Sequence, residues 1–187
     1  MTDMIRLREI SKNSRAALAK ELHESNVMAV PTVQKVNVNI GLNELRHDNK
    51  KIEHVGRVLA IITGQKPSLR RSKKAVSSFK LREGEPVGLA LTLRGSRMYD
   101  FLERFIRIIL PRVRDFRGIP QKSFDAEGNI TVGIRDLSVF PEIRYEDLDV
   151  VRGLEVTIVT NAGAPERGAK VLAALGFPLV RGGIAKG

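Results

Sequence analysis

The chain has 187 residues, with 32 lysines and arginines against 21 aspartates and glutamates, a formal net charge of +11. It has no cysteine, which excludes disulfides, thiolate zinc sites and cysteine nucleophiles, and 42% apolar with 28% charged residues is the composition of a folded protein. Its longest apolar runs, Val58 to Ile62 and Ile108 to Leu110, are far too short to cross a bilayer, and the opening Met1-Thr2-Asp3-Met4-Ile5-Arg6 predicts no export leader.

Residues 4–24 place Ile5, Ile10, Leu18 and Leu22, with three alanines, on one patchy face and predict an amphipathic helix. Pro31 then forces extended backbone. Val33 to Ile40 alternates, Val36, Val38 and Ile40 against Lys35, Asn37 and Asn39, which predicts a strand with one apolar face. Asp48 or Asn49 caps a second helix to about Ile62, with Ile52, Val55, Leu59 and Ile62 inward and Gly64 ending it. Pro67 to Arg71 reads as a short extended piece, and Ser72 to Glu85 as a long loop or hairpin tip. Val87 to Arg94 alternates again, and Ser96 caps a helix from Arg97 to Leu110 that Pro111 ends.

Residues 111–150 are the least regular, with short strands predicted at Ile130 to Ile134 and Leu137 to Phe140. Leu154, Val156 and Ile158 mark a further strand. A last helix starts at Ala164-Pro165-Glu166, runs through Leu175, and stops at Gly176. This order lacks the regular alternation of a doubly wound sheet. It predicts an α+β fold, a mostly antiparallel sheet with helices packed on one face, in a single domain spanning 1–187.

The uncovered face of such a sheet would offer Lys35, Asn37, Asn39, Ala90, Thr92 and Arg94. Amides and hydroxyls are the groups that bond to base edges and ribose 2′-hydroxyls, although polar residues also line ordinary solvated sheet faces. The charge map is more pointed. Residues 64–82 hold seven basic side chains and no acid, and residues 94–117 hold seven arginines against three acids. Residues 118–152 reverse the sign, with four basic and seven acidic side chains. Cations packed without counter-charges repel one another, so the 64–82 run points to a polyanionic partner, nucleic acid before membrane.

Catalytic signals are weak. His23, His47 and His54 match no metal-ligand spacing, and no phosphate-binding glycine loop or nucleophile elbow is present. Ser77 and Ser78 have no base in sequence context. Glu142, Glu146, Asp147 and Asp149 have the oxygen chemistry of a Mg²⁺ nuclease site, but their irregular spacing reads as a solvated or protein-facing acidic patch. Asn129-Ile130-Thr131 is a chance match to a glycosylation sequon.

Several segments, in order, are familiar. They are Val30-Pro31, Lys35 to Gly41, Thr63-Gly64-Gln65-Lys66-Pro67, Leu91-Thr92-Leu93-Arg94-Gly95 and Pro111 to Gly118. Lys122-Ser123-Phe124-Asp125, Phe140-Pro141-Glu142-Ile143 and Arg152-Gly153-Leu154 continue the match. Over about residues 24–178 the chain resembles the large-subunit ribosomal protein five family, the bacterial 5S rRNA binders. The resemblance implies a non-enzymatic, cofactor-free protein of cytoplasmic ribosomes, in which a curved sheet holds 5S rRNA on its open face. By position, Lys35, Asn39, Gln65 and Thr92 fall on the RNA-facing network, and alternation adds Asn37 and Arg94. The loop residues Arg71, Ser72, Lys73, Lys74, Ser77, Ser78, Phe79 and Lys80 match the part that reaches the P-site tRNA. Phe79 either stacks there or anchors the loop. The segment from Pro111 to about Arg144 matches the part that bridges to small-subunit head protein thirteen, with Arg112, Arg114, Asp115, Arg135 and Glu142 as candidates. The 23S rRNA of the central protuberance and other 5S-binding proteins complete the implied partners.

Overall fold

The structure is a computed structural model that describes residues 7–42, 45, 47–114, 116–120, 123–144 and 153–180. Two short helices come first, α1 (Leu7–Asn13) and α2 (Arg15–Glu21). The helix expected over 4–24 is therefore divided at Ser14, and residues 4–6 lie outside the described residues. Ser14 keeps right-handed helical dihedrals, but its hydroxyl turns back to the Ser11 carbonyl, the local competition that weakens serine within helices.

Strand β1 (Val33–Gly41) buries Val36, Val38 and Ile40 as the alternation requires. Strict alternation would put Val33 on the polar face, yet it is buried, because a bulge between Val33 and Lys35 turns it inward. Helix α3 (Asn49–Thr63) is capped by Asp48, whose carboxylate accepts from the Lys50 and Lys51 N–H groups at 3.0 and 3.2 Å. Gly64 closes it with φ +70°, a conformation glycine adopts without a side-chain penalty. Strands β2 (Ser68–Arg71) and β3 (Pro86–Leu93) follow, with Leu89, Leu91 and Leu93 inward. Val87, expected with them, is exposed at the end of the sheet.

The next helix departs from expectation at both ends. Its first segment α4 (Gly95–Arg104) starts behind an extended Arg94 rather than a Ser96 cap. It then widens into a π-helical turn (Phe105–Ile109) and finishes as α5 (Leu110–Arg112), so Pro111 lies inside the last turn. A proline in a regular helix lacks the N–H to bond back and collides with the carbonyl four residues earlier. The wide turn just before it loosens that register and lets the chain pass Pro111.

Strand β4 (Ile130–Ile134) forms as expected. Leu137–Val139 is a 3₁₀ turn instead of a strand, because the Asp136 carboxylate accepts from the Ser138 N–H at 2.9 Å and curls the backbone. Leu137 and Val139 are both buried around exposed Ser138, a spacing that mimics strand alternation. Strand β5 (Leu154–Thr160) and helix α6 (Pro165–Ala174) complete the fold, and Gly176 takes φ +86° behind α6.

The five strands form one antiparallel sheet in the order β2-β3-β1-β5-β4. Its inward residues share one apolar core with Val55, Leu59 and Ile62 of α3, Phe101 and Leu102 of α4, and Val171 and Leu172 of α6. The helices thus lie on a single face, as an α+β sandwich requires. Phe101 stacks on Phe105 with ring centroids 5.8 Å apart, and Phe105 meets Phe177 at 6.3 Å. A smaller cluster of Leu18, Ala19 and Val30 packs on Ala174, fastened by Arg167–Glu24 at 2.6 Å and Lys170–Glu21 at 3.7 Å. Among the described residues no helix is long and apolar enough to cross a membrane.

The turn at residues 125–129 locks β4 to the far end of β5. Asp125 accepts from the N–H groups of Glu127 and Asn129 and from the Asn129 amide. Asn129 in turn accepts from the Thr160 N–H at 2.9 Å, and the Thr160 hydroxyl donates to the Gly128 carbonyl at 2.9 Å. Asn129 is therefore a structural residue, committed on both sides of its amide. Desolvation pushes the Asp125 carboxyl up, but the hydrogen bonds from Asn129, Glu127 and Gly128 outweigh it and hold it below its ordinary value. A carboxyl lowered on folding stabilises the fold above its unfolded pKa and loses that contribution as pH falls through the folded pKa. Urea midpoints are expected to drop more steeply below roughly pH 4 for the native protein than for Asp125→Asn; equal slopes contradict this role.

Candidate nucleic-acid interface

The face of the sheet turned away from the helices carries polar residues on four adjacent strands. Register pairs Asn37 of β1 with Thr92 of β3 on one side and Thr157 of β5 on the other, and Thr157 with Thr131 of β4. The Thr92 hydroxyl donates to the Asn37 Oδ1 at 2.9 Å, and the Thr131 and Thr157 hydroxyls are 3.0 Å apart. With strands about 4.8 Å apart, this row runs on the order of 15 Å across the sheet. Gln65, just past the α3 terminus, extends it by donating Nε2 to the Thr92 carbonyl at 3.3 Å. Bonding to Thr92 turns the Asn37 carbonyl sideways and leaves its N–H₂ for a ligand.

One step along the strands lies a second row, Ser68, Ala90, Asn39, Glu155 and Gly133. Asn39 is half-exposed there, flanked by small Ala90 on one side and by Glu155 on the other, and among the described residues its amide has no side-chain partner. A hollow of about 450 Å³ opens at this end of the face, lined by Asn39, Arg135 and Glu155 over Gly41, Gly133 and Gly153. Lys35 sits opposite Val159 at the bulge, and exposed Arg94 stands between β3 and α4. The structure thus brings Lys35, Asn37, Asn39, Gln65 and Thr92 onto one surface, with Arg94 at its rim.

The basic loop 72–85 is a hairpin finger. At its base the Ser72 N–H donates to Glu85 O at 2.8 Å and the Gly84 N–H to Ser72 O at 3.0 Å, while Arg71 Nη1 holds the Gly84 carbonyl at 2.9 Å. Val76 and Leu81 pair further out, around a 3₁₀ turn at Ser77–Phe79. Lys80 closes that turn at φ +48°, an uncommon conformation for a residue with a side chain. Lys73, Lys74, Ser77, Ser78 and Lys80 are exposed, and Phe79 is 72% exposed, so it does not anchor the loop by burial.

The segment from Pro111 to Arg144 is divided in character. Arg112, Arg114 and Arg135 are exposed, and Arg114 lies near enough to Asp136 to help lower its carboxyl pKa, behind the larger effect of the Ser138 hydrogen bonds. Asp115 lies outside the described residues. Glu142 turns inward, accepting from Arg104 Nη1 at 2.7 Å while Arg104 Nη2 reaches the Ile62 carbonyl at 3.0 Å. That pair ties residues 140–144 to α3 and α4. Glu146, Asp147 and Asp149 lie outside the described residues; among those described, no group of three or more acids and histidines could hold a metal ion.

Two family profiles match the chain. One, described as "Ribosomal protein L5", covers residues 26–82, and the other, describing the C-terminus of the same ribosomal family, covers residues 86–179. The large ribosomal subunit proteins uL5 of Prochlorococcus marinus strains MIT 9211 and MIT 9215 are each 51% identical to it over 164 residues, 88% of this chain and 92% of theirs. The chain belongs to the ribosomal protein L5 family. As a member of the L5 family it is a structural, non-enzymatic component of the large ribosomal subunit in the cytoplasm, and the nuclease alternative is set aside. The two L5 profiles meet within the basic finger, yet both halves feed one core.

Four polar residues on the L5 sheet face escaped the sequence reading: Ser68, Thr131, Glu155 and Thr157. Alternation in Leu154 to Thr160 already sets Glu155 and Thr157 opposite the apolar residues. Joining them to Asn37 and Asn39 required the β1–β5 register. Glu155 puts one acid on the face, beside Asn39, where it disfavours a phosphate and leaves that spot to a base or ribose.

Proposed function

We propose that this protein binds 5S rRNA in the central protuberance through the open face of its sheet, acting as one RNA-binding domain. The observation that carries this reading is the uncovered row Thr92–Asn37–Thr157–Thr131, with Asn39, whose amide has no side-chain partner among the described residues, beside it and the acid-free basic run of residues 64–82 leading into the finger at its border. Amides and hydroxyls supply the shape- and ribose-reading contacts; Lys35, Arg94 and their neighbours neutralise phosphate and release counterions. With aromatic residues at only 5%, stacking on rings is a minor part of the grip. Competition at fixed salt tests this: 5S rRNA is expected to displace labelled 5S rRNA far better than unrelated RNA of equal length. Equal competition removes the specific site.

In the same reading the finger contacts P-site tRNA, with Lys73, Lys74 and Lys80 on phosphates and exposed Phe79 as the ring that stacks. Neighbouring contacts extend to 23S rRNA and other 5S-binding proteins. Arg112, Arg114 and Arg135, with Asp115 and Glu142, belong to the segment that meets small-subunit head protein thirteen; there the Arg104-bound Glu142 shapes the surface rather than reaching across it. Lys74→Ala is expected to leave 5S affinity within about twofold, since the finger projects from the sheet, and to weaken crosslinking to P-site tRNA in assembled ribosomes. A large loss of 5S affinity contradicts this division of labour.

A further inference from the structure

On the helix side of the sheet, beyond the RNA face, α3 and β2 enclose a groove of about 410 Å³. Its floor is apolar, made by Gly56, Ala60, Pro67, Leu69 and Leu89. Leu69 is 38% exposed there, and Ile61, one helical turn beyond Arg57, is 57% exposed. The rim is charged: Arg57 and Lys66 face one acid, Glu53. One wall is β2 itself, the first strand in the sheet order, which among the described residues has only β3 as a sheet neighbour.

Gly56 adds an independent sign that the floor is kept clear. It sits in the middle of α3, where glycine weakens a helix relative to alanine. Packing does not demand it: a Cβ there would lie 3.9 Å from Leu89 Cδ1 and from Pro67 Cγ, ordinary contact distances. The missing methyl leaves space in the groove, between Leu89 and Pro67.

We propose that this groove takes an extended acidic segment of another protein, added to the β2 edge as a further strand with an apolar side chain seated over Gly56. Strand addition supplies backbone hydrogen bonds, and alternate residues supply specificity. Acidic character follows from the rim, where the cations outnumber Glu53. A second copy of this chain is a poor occupant, because it would bring Arg70 and Arg71 against themselves. RNA is disfavoured by a floor with no amide, hydroxyl or aromatic ring to read or stack a base.

The proposal is independent of 5S binding and is tested on the intact, ¹⁵N-labelled protein. The probe is an acetylated peptide alternating glutamate and isoleucine; the controls are oligoglutamate of the same length and a short RNA duplex. The alternating peptide is expected to shift the amides of Gly56, Arg57, Ala60 and Leu69. Gly56→Ala is expected to weaken it at least fivefold while raising the melting temperature, a combination that misfolding cannot produce. Arg57→Glu, on the exposed rim, is expected to weaken it about tenfold without loss of fold. Oligoglutamate binding equally well, or shifts centred on the finger or the open sheet face, would overturn the proposal. Groove shifts produced by the RNA duplex and not by the peptide would assign the groove to nucleic acid instead.

Discussion

Replacing Asn39 with alanine is expected to weaken 5S rRNA binding by about 1–3 kcal/mol, roughly 5- to 150-fold, with the fold intact. Asn39 lies on the central strand, on the face away from the core, between Ala90 and Glu155 in register. Its amide has no side-chain partner among the described residues, so the substitution breaks no side-chain hydrogen bond there. In a complex, the RNA group facing Asn39 would be left buried and unsatisfied, which is costlier than the loss of one average hydrogen bond. Titrations over a range of salt separate this from charge: Asn39→Ala lowers affinity by the same factor at every concentration, whereas Lys35→Ala reduces the slope by about one. Thr92→Ala also removes the bond that orients Asn37, so the pair should couple in a double-mutant cycle. Unchanged affinity in Asn39→Ala would remove the sheet face from the account.

Gly168→Ala is expected to cost about 3 kcal/mol of folding stability, measured by urea unfolding, against the helix-propensity rule. Gly168 lies within α6, where alanine is normally the better residue by up to about 1 kcal/mol. Here its Cβ would run into the carbonyl group of Gly128, which the Thr160 hydroxyl already holds. Gly128 cannot withdraw easily: it takes φ +79° and is itself crowded by the Ala164 carbonyl. Gly56→Ala carries the opposite sign, a gain of about 0.5–1 kcal/mol, because its new methyl meets only side-chain tips at 3.9 Å. Two helix-interior glycines thus diverge on one measurement. A stabilised Gly168→Ala would mean that the turn 125–129 gives way freely.

These two glycines also show where a sequence stops being readable. Local rules sufficed for β1 from Val36 onward, where each second residue declares its face, and for α3, where Asp48 and Gly64 mark both ends. They sufficed for the finger, whose Ser, Lys and Gly content carries no apolar period and marks it as an exposed loop or hairpin tip. They failed where the deciding partner is distant or the backbone leaves its usual register. The π turn before Pro111, the bulge that turns Val33 inward, and the 3₁₀ turn at Leu137–Val139 all defeat simple periodicity. The candidate site was legible in its β1 and β3 half. Its β4 and β5 half needed strand order, since nothing local says that Thr157 sits beside Asn37.

That strand order also imposes a sequence of events during synthesis. The central strand β1 is made early, but its neighbour β5 is made roughly 110 residues later, and among the described strands of the sheet β4 has β5 alone as a neighbour. A nascent chain can therefore assemble β2, β3 and β1 while half of the polar row is still missing. The full polar row exists only once the last strand has emerged, so under the proposed function a partly translated chain is expected to hold RNA more weakly than the finished one.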